Sequence, residues 1–245
     1  MSTSPVLALR SLLFNLFFFG WTTVYCLAVL PGYPFYSPRT MRQVARAWQR
    51  VLLVGLRVIV GLTHEVRGRE HIPLGPVVIA CKHQSAWETV ACHALLDEIA
   101  VALKEELTRI PVFGWYLLRA GSIRIDRGAA SGAIRSLVAG ARREVALGVS
   151  VLIFPEGTRR DPDALPDYKP GVAAVYNAVR LPVVPAALNS GLYWRRRGFI
   201  KYPGRIVLEV LPPIPPGLPR PEFMRRLEQA IETATARLVA EGRRR

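Results

Sequence analysis

The first hydrophobic pattern in the chain is an uncharged run near its N-terminal end. Residues 11–30 carry no charged side chain and are rich in Leu and Phe. A helix of this length spans about 30 Å, the thickness of the hydrocarbon core of a bilayer. Aromatic residues towards the end of the run, from Trp21 to Tyr36, are typical of a membrane interface. The pattern predicts a helical membrane anchor, which either spans the bilayer or only inserts; a cleaved signal peptide and a buried core helix are the alternatives.

A basic stripe follows the anchor. Four arginines recur there at helical spacing: Arg39, Arg42, Arg46 and Arg50. A helix with this face suits an anionic membrane surface, its arginines reaching lipid phosphates, whereas an ordinary solvated face is the alternative. Only Arg10 precedes the apolar run, so the positive-inside rule predicts that the rest of the chain lies on the cytoplasmic side of the membrane. The apolar residues 51–62 are too short to span and are expected to pack against the anchor or the folded domain.

From about residue 65, short β-rich runs alternate with helical stretches. The predicted strands are Val77–Ala80, Ile99–Leu103, Ser122–Ile125, Val149–Phe154, Val183–Leu188 and Ile206–Val210. The predicted helices are Ser85–Leu96, Ala129–Leu147, Val172–Arg180 and a terminal one from Pro221 to about Glu241. This alternation predicts an α/β fold with a mixed, largely parallel sheet flanked by helices. We assign residues 1–64 to the membrane anchor and basic interfacial helix, and residues 65–245 to the catalytic domain.

Charge and composition narrow the choice of partner. A formal charge of +15 implies an anionic partner, either nucleic acid or a membrane surface. A hydrophobic content of 51% favours the anionic membrane surface, and no Lys/Arg tract is interleaved with aromatic residues as in nucleic-acid-binding proteins. We therefore predict no nucleic-acid partner. The arginine runs at 195–197 and 243–245 are interpreted as solvated surface charge.

The cysteines indicate neither a disulfide framework nor a metal site. Three cysteines are too few for a disulfide framework and fit a reduced, cytoplasm-facing location. The group Cys81, His83, Cys92 and His93 lacks any familiar zinc spacing, so neither a metal nor a cofactor is predicted.

Two short motifs carry the candidate chemistry. His83 and Glu88 lie five positions apart, directly after the apolar run Val77–Ala80. The block from Phe154 to Arg160 follows another apolar run and turns through Pro155 and Gly157. An imidazole titrates near working pH and can accept a proton from a hydroxyl, while a carboxylate can orient it. A glycine turn followed by guanidinium groups suits a phosphate.

Taken in order, these blocks resemble the glycerolipid acyltransferase family, most closely its bacterial 1-acyl-sn-glycerol-3-phosphate branch. That family has a His-x4-Asp motif, a block ending in Arg, a Pro-Glu-Gly-Thr-Arg block and a Val-Pro block. The corresponding residues here are His83 to Glu88, 121–127, 154–160 and Val184-Pro185. The resemblance extends over residues 77–189, a little under half of the chain. One departure is Glu88, which stands where the family usually has Asp, so the geometry between the histidine and the carboxylate must differ.

The resemblance implies a role for each matched residue. His83 is the expected general base and Glu88 the carboxylate that orients it. The expected substrate-binding residues are Lys104, Arg127, Glu156, Gly157, Thr158 and Arg159. Among these, Glu156 is expected to fix Arg159 or a glycerol hydroxyl, and backbone amides near Gly157 are candidate donors to the oxyanion of the tetrahedral intermediate. No Gly-x-Ser-x-Gly elbow is present, which argues against a serine acyl-enzyme.

The expected reaction is transfer of an acyl group from acyl-CoA or acyl carrier protein to lysophosphatidic acid at the cytoplasmic membrane. Two alternatives remain at this point. The acceptor can be another lysolipid, such as a lyso-aminolipid, in which case Arg127 and Arg159 matter less. The protein can also be a non-enzymatic membrane-binding protein, although surface binding needs no histidine–carboxylate pair.

Overall fold

The computed structural model describes residues 4–125 and 130–244. The α-helices are α1 Pro5–Val29, α2 Pro38–Gly55, α3 Trp87–Leu95, α4 Phe113–Arg119, α5 Ala130–Ala146, α6 Gly171–Val179 and α7 Arg220–Arg244. The strands are β1 Leu62–Arg67, β2 Val78–Cys81, β3 Ile99–Lys104, β4 Ile123–Ile125, β5 Ser150–Ile153, β6 Val183–Leu188 and β7 Gly204–Val210. Each strand predicted from the sequence is present, with bounds that differ by no more than two residues.

The strands form one seven-stranded sheet in the order β1-β7-β6-β2-β5-β3-β4. The β6–β7 pair is antiparallel, and the other neighbouring pairs are parallel. Helices cover both faces, as the alternation along β2 illustrates. Ile79 packs in the core layer that contains α3 and Phe14 of α1, while Val78 packs in the layer that contains α5, α6 and α7. The predicted α/β fold with a mixed, largely parallel sheet is confirmed.

The N-terminal helices form an antiparallel pair on the sheet. Trp21 Nε1 donates to the carbonyl of Trp48, and the Tyr25 hydroxyl donates to the carbonyl of Val44, which ties α1 to α2. Phe14 is fully buried in the main core cluster. The opposite side of α1 is apolar and exposed through Val6, Leu9, Leu12, Leu13, Leu16, Phe19, Val24 and Leu27. The alternative of a buried core helix is therefore wrong.

Within the described residues, Pro5–Phe35 is the one helical segment whose length and apolar composition would allow it to cross a membrane. A signal sequence can meet the same criterion, so this property alone is weak evidence for a membrane span. The apolar residues after α2 continue as a π-helical segment, Leu56–Val60, and pack with Phe14 as expected. Gly61 then adopts a positive φ of 79° and ends the helix.

Two predictions about this region need correction. Arg42 is buried and pairs with Glu98 at 2.7 Å, and Arg46 pairs with Asp97 at 2.8 Å, so these two arginines face the protein and not lipid phosphates. The predicted boundary between residues 64 and 65 falls inside β1, which pairs along its whole length with β7. We therefore propose that the division between the helical pair and the catalytic domain lies at Gly61.

Candidate active site

The two motifs meet at the carboxyl edge of the sheet. Strands β2 and β5 are parallel neighbours, with Ala80 opposite Ile153, so the chain segments that follow them leave the sheet side by side. The amide of Arg160 donates to the carbonyl of His83 at 2.8 Å. The imidazole of His83 stacks on the Phe154 ring, with centroids 4.0 Å apart. The sequence prediction that both motifs begin where a strand ends is confirmed.

His83 and Glu88 lie close together, with Nδ1 of the imidazole 3.4 Å from Oε2 of the carboxylate. This distance is long for a hydrogen bond, and Nδ1 has no other polar partner among the described residues. Because Nδ1 faces the carboxylate, Nε2 is the ring nitrogen left to face a substrate. The longer side chain of glutamate therefore brings its carboxylate to the histidine, despite the departure from the usual aspartate.

The carboxylate of Glu88 is buried and held by several donors. It accepts hydrogen bonds from the amides of Gln84 at 3.2 Å and Ser85 at 3.0 Å. The hydroxyl of Ser190, on the turn after β6, also donates to it. Ser85 in turn accepts from the amide of Trp87, so Ser85 and Glu88 cap the start of α3 reciprocally. These contacts fix the carboxylate in front of the imidazole.

Ser190 was not identified from the sequence, and its contact with Glu88 leads to a prediction. The change Ser190→Ala removes a donor to a buried carboxylate, so the carboxylate is expected to hold the imidazole less well. We expect kcat to fall about tenfold with little change in either KM, because a hydrogen bond to a charged group contributes about 1.5–3 kcal/mol. Steady-state kinetics would measure this, with Ser136→Ala as the matched control on α5. Unchanged kcat in the Ser190 variant would contradict the role.

A second buried cluster lies behind the dyad. Lys82 Nζ contacts Glu156 Oε1 at 2.9 Å and Glu232 Oε1 of α7 at 2.7 Å, and the side chains of Lys82 and Glu156 are each only 1% exposed. Tyr168 donates to the same Glu232 oxygen. Of the two alternatives predicted for Glu156, a bond to Arg159 is wrong, because Glu156 pairs with Lys82 instead; a bond to a glycerol hydroxyl stays a prediction. Burial raises the pKa of Glu156, whereas Lys82 and a hydrogen bond from the His83 amide act against that rise.

The structure does not support a nucleophilic role for the two cysteines beside the His83 motif. Cys81 and Cys92 are fully buried, and burial raises the pKa of the Cys92 thiol to about 11. The pKa of Cys81 is raised as well, again first of all by burial. A thiol with a raised pKa carries little thiolate at neutral pH, so these residues serve packing.

A pocket of about 680 Å³ opens in front of His83, within the usual size range of small-molecule sites. Part of its wall is apolar and comes from β3, β4, α5, α6 and the ends of neighbouring strands. These apolar residues are Ala102, Leu103, Leu107, Ile125, Ala133, Ile134, Leu137, Ile153, Phe154 and Val172. Another part is basic and consists of Lys104, Arg159, Lys169, Arg196 and Arg197. The pocket therefore suits a ligand with an apolar chain and an anionic group.

The predicted substrate-binding residues lie on this pocket wall. Lys104, Glu156, Gly157, Thr158 and Arg159 all line it. Arg127 lies outside the described residues. The amide of Gly157 donates to the carbonyl of Phe154 and closes the turn, so it is occupied and is not an oxyanion donor in this conformation.

Arg159 is the basic residue of the second motif that faces the dyad most directly. Burial lowers its pKa, the charge of Glu88 opposes that shift, and the charge of Arg196 adds to it. Within the described part of the chain, its guanidinium makes no hydrogen bond or ion pair, so its donors are available to a ligand. The arginines at 195–197 are exposed, as predicted from the sequence, and Arg196 and Arg197 also line the pocket.

A histidine–carboxylate dyad at the strand ends of a mostly parallel sheet, beside an apolar and basic pocket, is typical of an enzyme active site. A sequence profile of the acyltransferase family matches residues 63–189, just over half of the chain. A 1-acyl-sn-glycerol-3-phosphate acyltransferase of Pseudomonas aeruginosa is 36% identical over 242 residues, 97% of this chain and 93% of that protein. The chain belongs to the acyltransferase family, which confirms the resemblance found in the sequence and excludes a purely non-enzymatic membrane-binding protein.

Two further similarities agree with this. A 1-acyl-sn-glycerol-3-phosphate acyltransferase alpha of Mus musculus is 30% identical over 169 residues, 67% of this chain and 59% of the mouse protein. The crystal structure of PlsC from Thermotoga maritima, a 1-acyl-sn-glycerophosphate acyltransferase, has a TM-score of 0.77 with this structure. The two chains share 22% identity, and the match covers 94% of this chain and 96% of that one. At this identity the structural match supports the fold.

Proposed function

We propose that the protein transfers an acyl group from acyl-CoA or acyl carrier protein to the sn-2 hydroxyl of lysophosphatidic acid. The product is phosphatidic acid, which serves phospholipid synthesis. The observation that carries this proposal is the position of His83, whose Nδ1 lies 3.4 Å from the Glu88 carboxylate and whose ring lines a pocket that is partly apolar and partly basic. The relatives with this activity, above all the protein of P. aeruginosa, support the same acceptor.

The chemistry follows from the orientation of the imidazole. Nε2 of His83 accepts the proton of the acceptor hydroxyl while the hydroxyl oxygen attacks the thioester carbonyl. Glu88 stabilises the imidazolium that forms and holds the ring in one orientation. When the tetrahedral intermediate collapses, the carbon–sulfur bond breaks, and the imidazolium returns its proton to the leaving thiolate. The ester and the free thiol are the products, and the histidine is neutral again.

Different parts of the pocket wall suit different parts of the substrates. Its apolar wall, which includes Leu103, Ile134 and Leu137, takes an acyl chain out of water. The fork of Arg159 matches two oxygens of the acceptor phosphate, and Lys104 adds a second positive charge at the end of β3. Thr158 and the turn at Gly157, whose φ is 63°, complete this side of the pocket.

The exposed apolar side of α1 supports a place for the protein on a membrane. Because α1 packs on α2 and the core along its other side, we propose that it inserts into one leaflet without crossing the bilayer alone. Arg39 and Arg50 remain exposed on α2 and can meet anionic lipid. Because the anionic lipids that such arginines bind are concentrated in the cytoplasmic leaflet, this exposed charge favours the cytoplasmic side for the catalytic domain.

The proposed acceptor can be tested with Arg159→Lys, which keeps the charge and loses the fork. Purified protein in detergent would be given lysophosphatidic acid or a phosphate-free lysolipid with acyl-CoA or acyl carrier protein, and thiol release would be followed. We expect wild type to prefer lysophosphatidic acid and the variant to show an acceptor KM at least tenfold higher, with the donor KM unchanged.

The control for this experiment is Arg142→Lys, an exposed arginine on α5 whose one hydrogen bond within residues 4–125 and 130–244 is to the carbonyl of Ala178. A wild-type preference for the phosphate-free lysolipid would refute lysophosphatidic acid as the acceptor and favour the lyso-aminolipid alternative. A rise in the donor KM alone would mean that Arg159 binds the phosphates of coenzyme A.

A further inference from the structure

A short hairpin beside the pocket links α1 to the active site. Trp194 and Lys201 form an antiparallel bridge, and the Gly198 amide donates to the carbonyl of Arg195 at 2.9 Å to close the tip. Arg197 adopts a positive φ of 57° within this turn. We call residues 194–201 the basic hairpin, because three consecutive arginines, Arg195 to Arg197, form its tip.

The base of the basic hairpin is fixed to α1. The Trp194 ring meets the Phe14 ring edge-on at 5.8 Å. Lys201 is only 3% exposed. Its amide donates to Ser11 Oγ at 3.0 Å, and its Nζ donates to Asn15 Oδ1 at 2.5 Å. These contacts join the hairpin to the first half of the helix that we place on the membrane. The base of the hairpin is therefore bonded directly to α1.

The tip of the hairpin is exposed, basic and next to the pocket. Arg195 lies over the Tyr202 ring, and Phe199 is 50% exposed beside the arginines. Within residues 4–125 and 130–244, none of the three arginines has a carboxylate within ion-pair distance. Arg196 and Arg197 line the pocket, and the charge of Arg196 lowers the pKa of Arg159. Exposed guanidinium groups without a carboxylate partner at the pocket mouth attract anions from outside the chain.

We propose that the basic hairpin is a membrane contact that binds the phosphate headgroups of anionic lipids and brings the acceptor from the membrane surface to Arg159. This inference rests on the proposed function. A membrane surface is favoured over an acidic carrier protein because the hairpin is bonded to α1 and combines arginines with an exposed aromatic ring, as interfacial segments do. Arg196 and Arg197 then extend the basic wall of the pocket to the lipid surface.

The test compares wild type with the double variant Arg196→Gln/Arg197→Gln in the full-length protein. Binding to neutral phosphatidylcholine vesicles and to vesicles containing phosphatidylglycerol would be measured by co-sedimentation, which separates the contribution of charge from that of α1. We expect the preference of wild type for anionic vesicles to fall about thirtyfold in the variant, with binding to neutral vesicles unchanged. The control is Arg220→Gln/Arg225→Gln on α7, which removes the same charge from the opposite face of the sheet and should keep most of the preference.

Activity supplies the second measurement. With lysophosphatidic acid embedded in anionic vesicles, the acceptor KM of the variant is expected to rise in step with the loss of binding. With a short-chain lysophosphatidic acid dissolved as monomer, the rise of the acceptor KM is expected to be clearly smaller than the rise measured with the embedded acceptor, because only the embedded acceptor depends on the membrane contact. An unchanged vesicle preference, or an equal rise of KM with the dissolved acceptor, would overturn the membrane contact and leave the arginines as pocket residues only.

A higher KM for acyl carrier protein or acyl-CoA alone would also overturn the proposal and assign the hairpin to the donor. Failure of the proposed function would look different from each of these results. In that case wild type would acylate no form of lysophosphatidic acid, while the vesicle measurements would still report on the hairpin.

Discussion

His83→Ala is expected to lower kcat about a thousandfold while the KM values of both substrates stay within about threefold of wild type. The imidazole is the group placed to accept the acceptor proton, and a positioned general base typically contributes 10²–10⁴-fold to the rate. The loss falls on kcat because the base acts in the transition state and the phosphate and acyl contacts remain. Steady-state kinetics with lysophosphatidic acid and acyl-CoA would measure it.

The structure gives this experiment a fold control and a matched variant. The His83 ring lies on the pocket wall and stacks on Phe154, so its removal leaves the core layers intact and little change in Tm is expected. His71→Ala deletes an imidazole that contacts the carbonyl of Val210 on β7, two strands from β2, and makes no contact with the dyad among the described residues, so this variant should keep its turnover. Near-normal turnover of the His83 variant would refute the mechanism.

Lys82→Met is expected to destabilise the protein by about 3–5 kcal/mol at neutral pH, because it leaves the buried Glu156 carboxylate without its cation. For a domain of this size the corresponding fall in Tm is on the order of 10 °C. Thermal unfolding in detergent, followed by tryptophan fluorescence at a fixed scan rate, would measure it. Lys169→Met provides the matched control, since the ion pair of Lys169 with Asp167 is exposed.

The pH dependence of this variant follows from the raised pKa of Glu156. A carboxyl whose folded-state pKa lies above its unfolded value binds a proton more tightly when folded, so stability falls as pH rises through that range. Without Lys82 the pKa of Glu156 rises further, and the defect should therefore shrink as pH is lowered from 7 towards 5. The double variant Lys82→Met/Glu156→Gln removes both charges and should recover most of the lost stability; if it does not, the pair is not the cause of the loss.

Elements whose structure is determined by the local pattern of apolar residues could be predicted from the sequence. Val183–Leu188 is a continuous apolar run, and it is β6 with the same bounds. Strand β1 was missed because Leu62–Arg67 carries His64, Glu65 and Arg67 and only Leu62 is fully buried. Such a half-exposed edge strand has no apolar run to reveal it, and its identity depends on pairing with β7, far along the chain.

In the candidate site, too, local sequence patterns predicted some residues, whereas others depend on contacts between distant parts of the chain. His83, Glu88 and Arg159 lie shortly after strand ends, so motif and pattern were sufficient to predict that they lie together at the candidate site. The partners Ser190 and Glu232 lie 102 and 150 positions from Glu88 and Lys82, respectively, and only the folded sheet brings them together. Helical spacing likewise placed Arg42 on a face of α2 but could not indicate that this face meets Glu98.

The packing of α1 has a consequence for how the enzyme meets its substrate. The helix is joined to the basic hairpin near its start through Ser11 and to α4 near its end, where the Tyr116 hydroxyl donates to the carbonyl of Cys26. A helix held at both ends cannot act as a loose tether. With α1 placed in the membrane as proposed above, the helix would set the height and tilt of the pocket mouth above the lipid, so the depth at which a lysolipid hydroxyl would meet His83 is a fixed dimension of the fold.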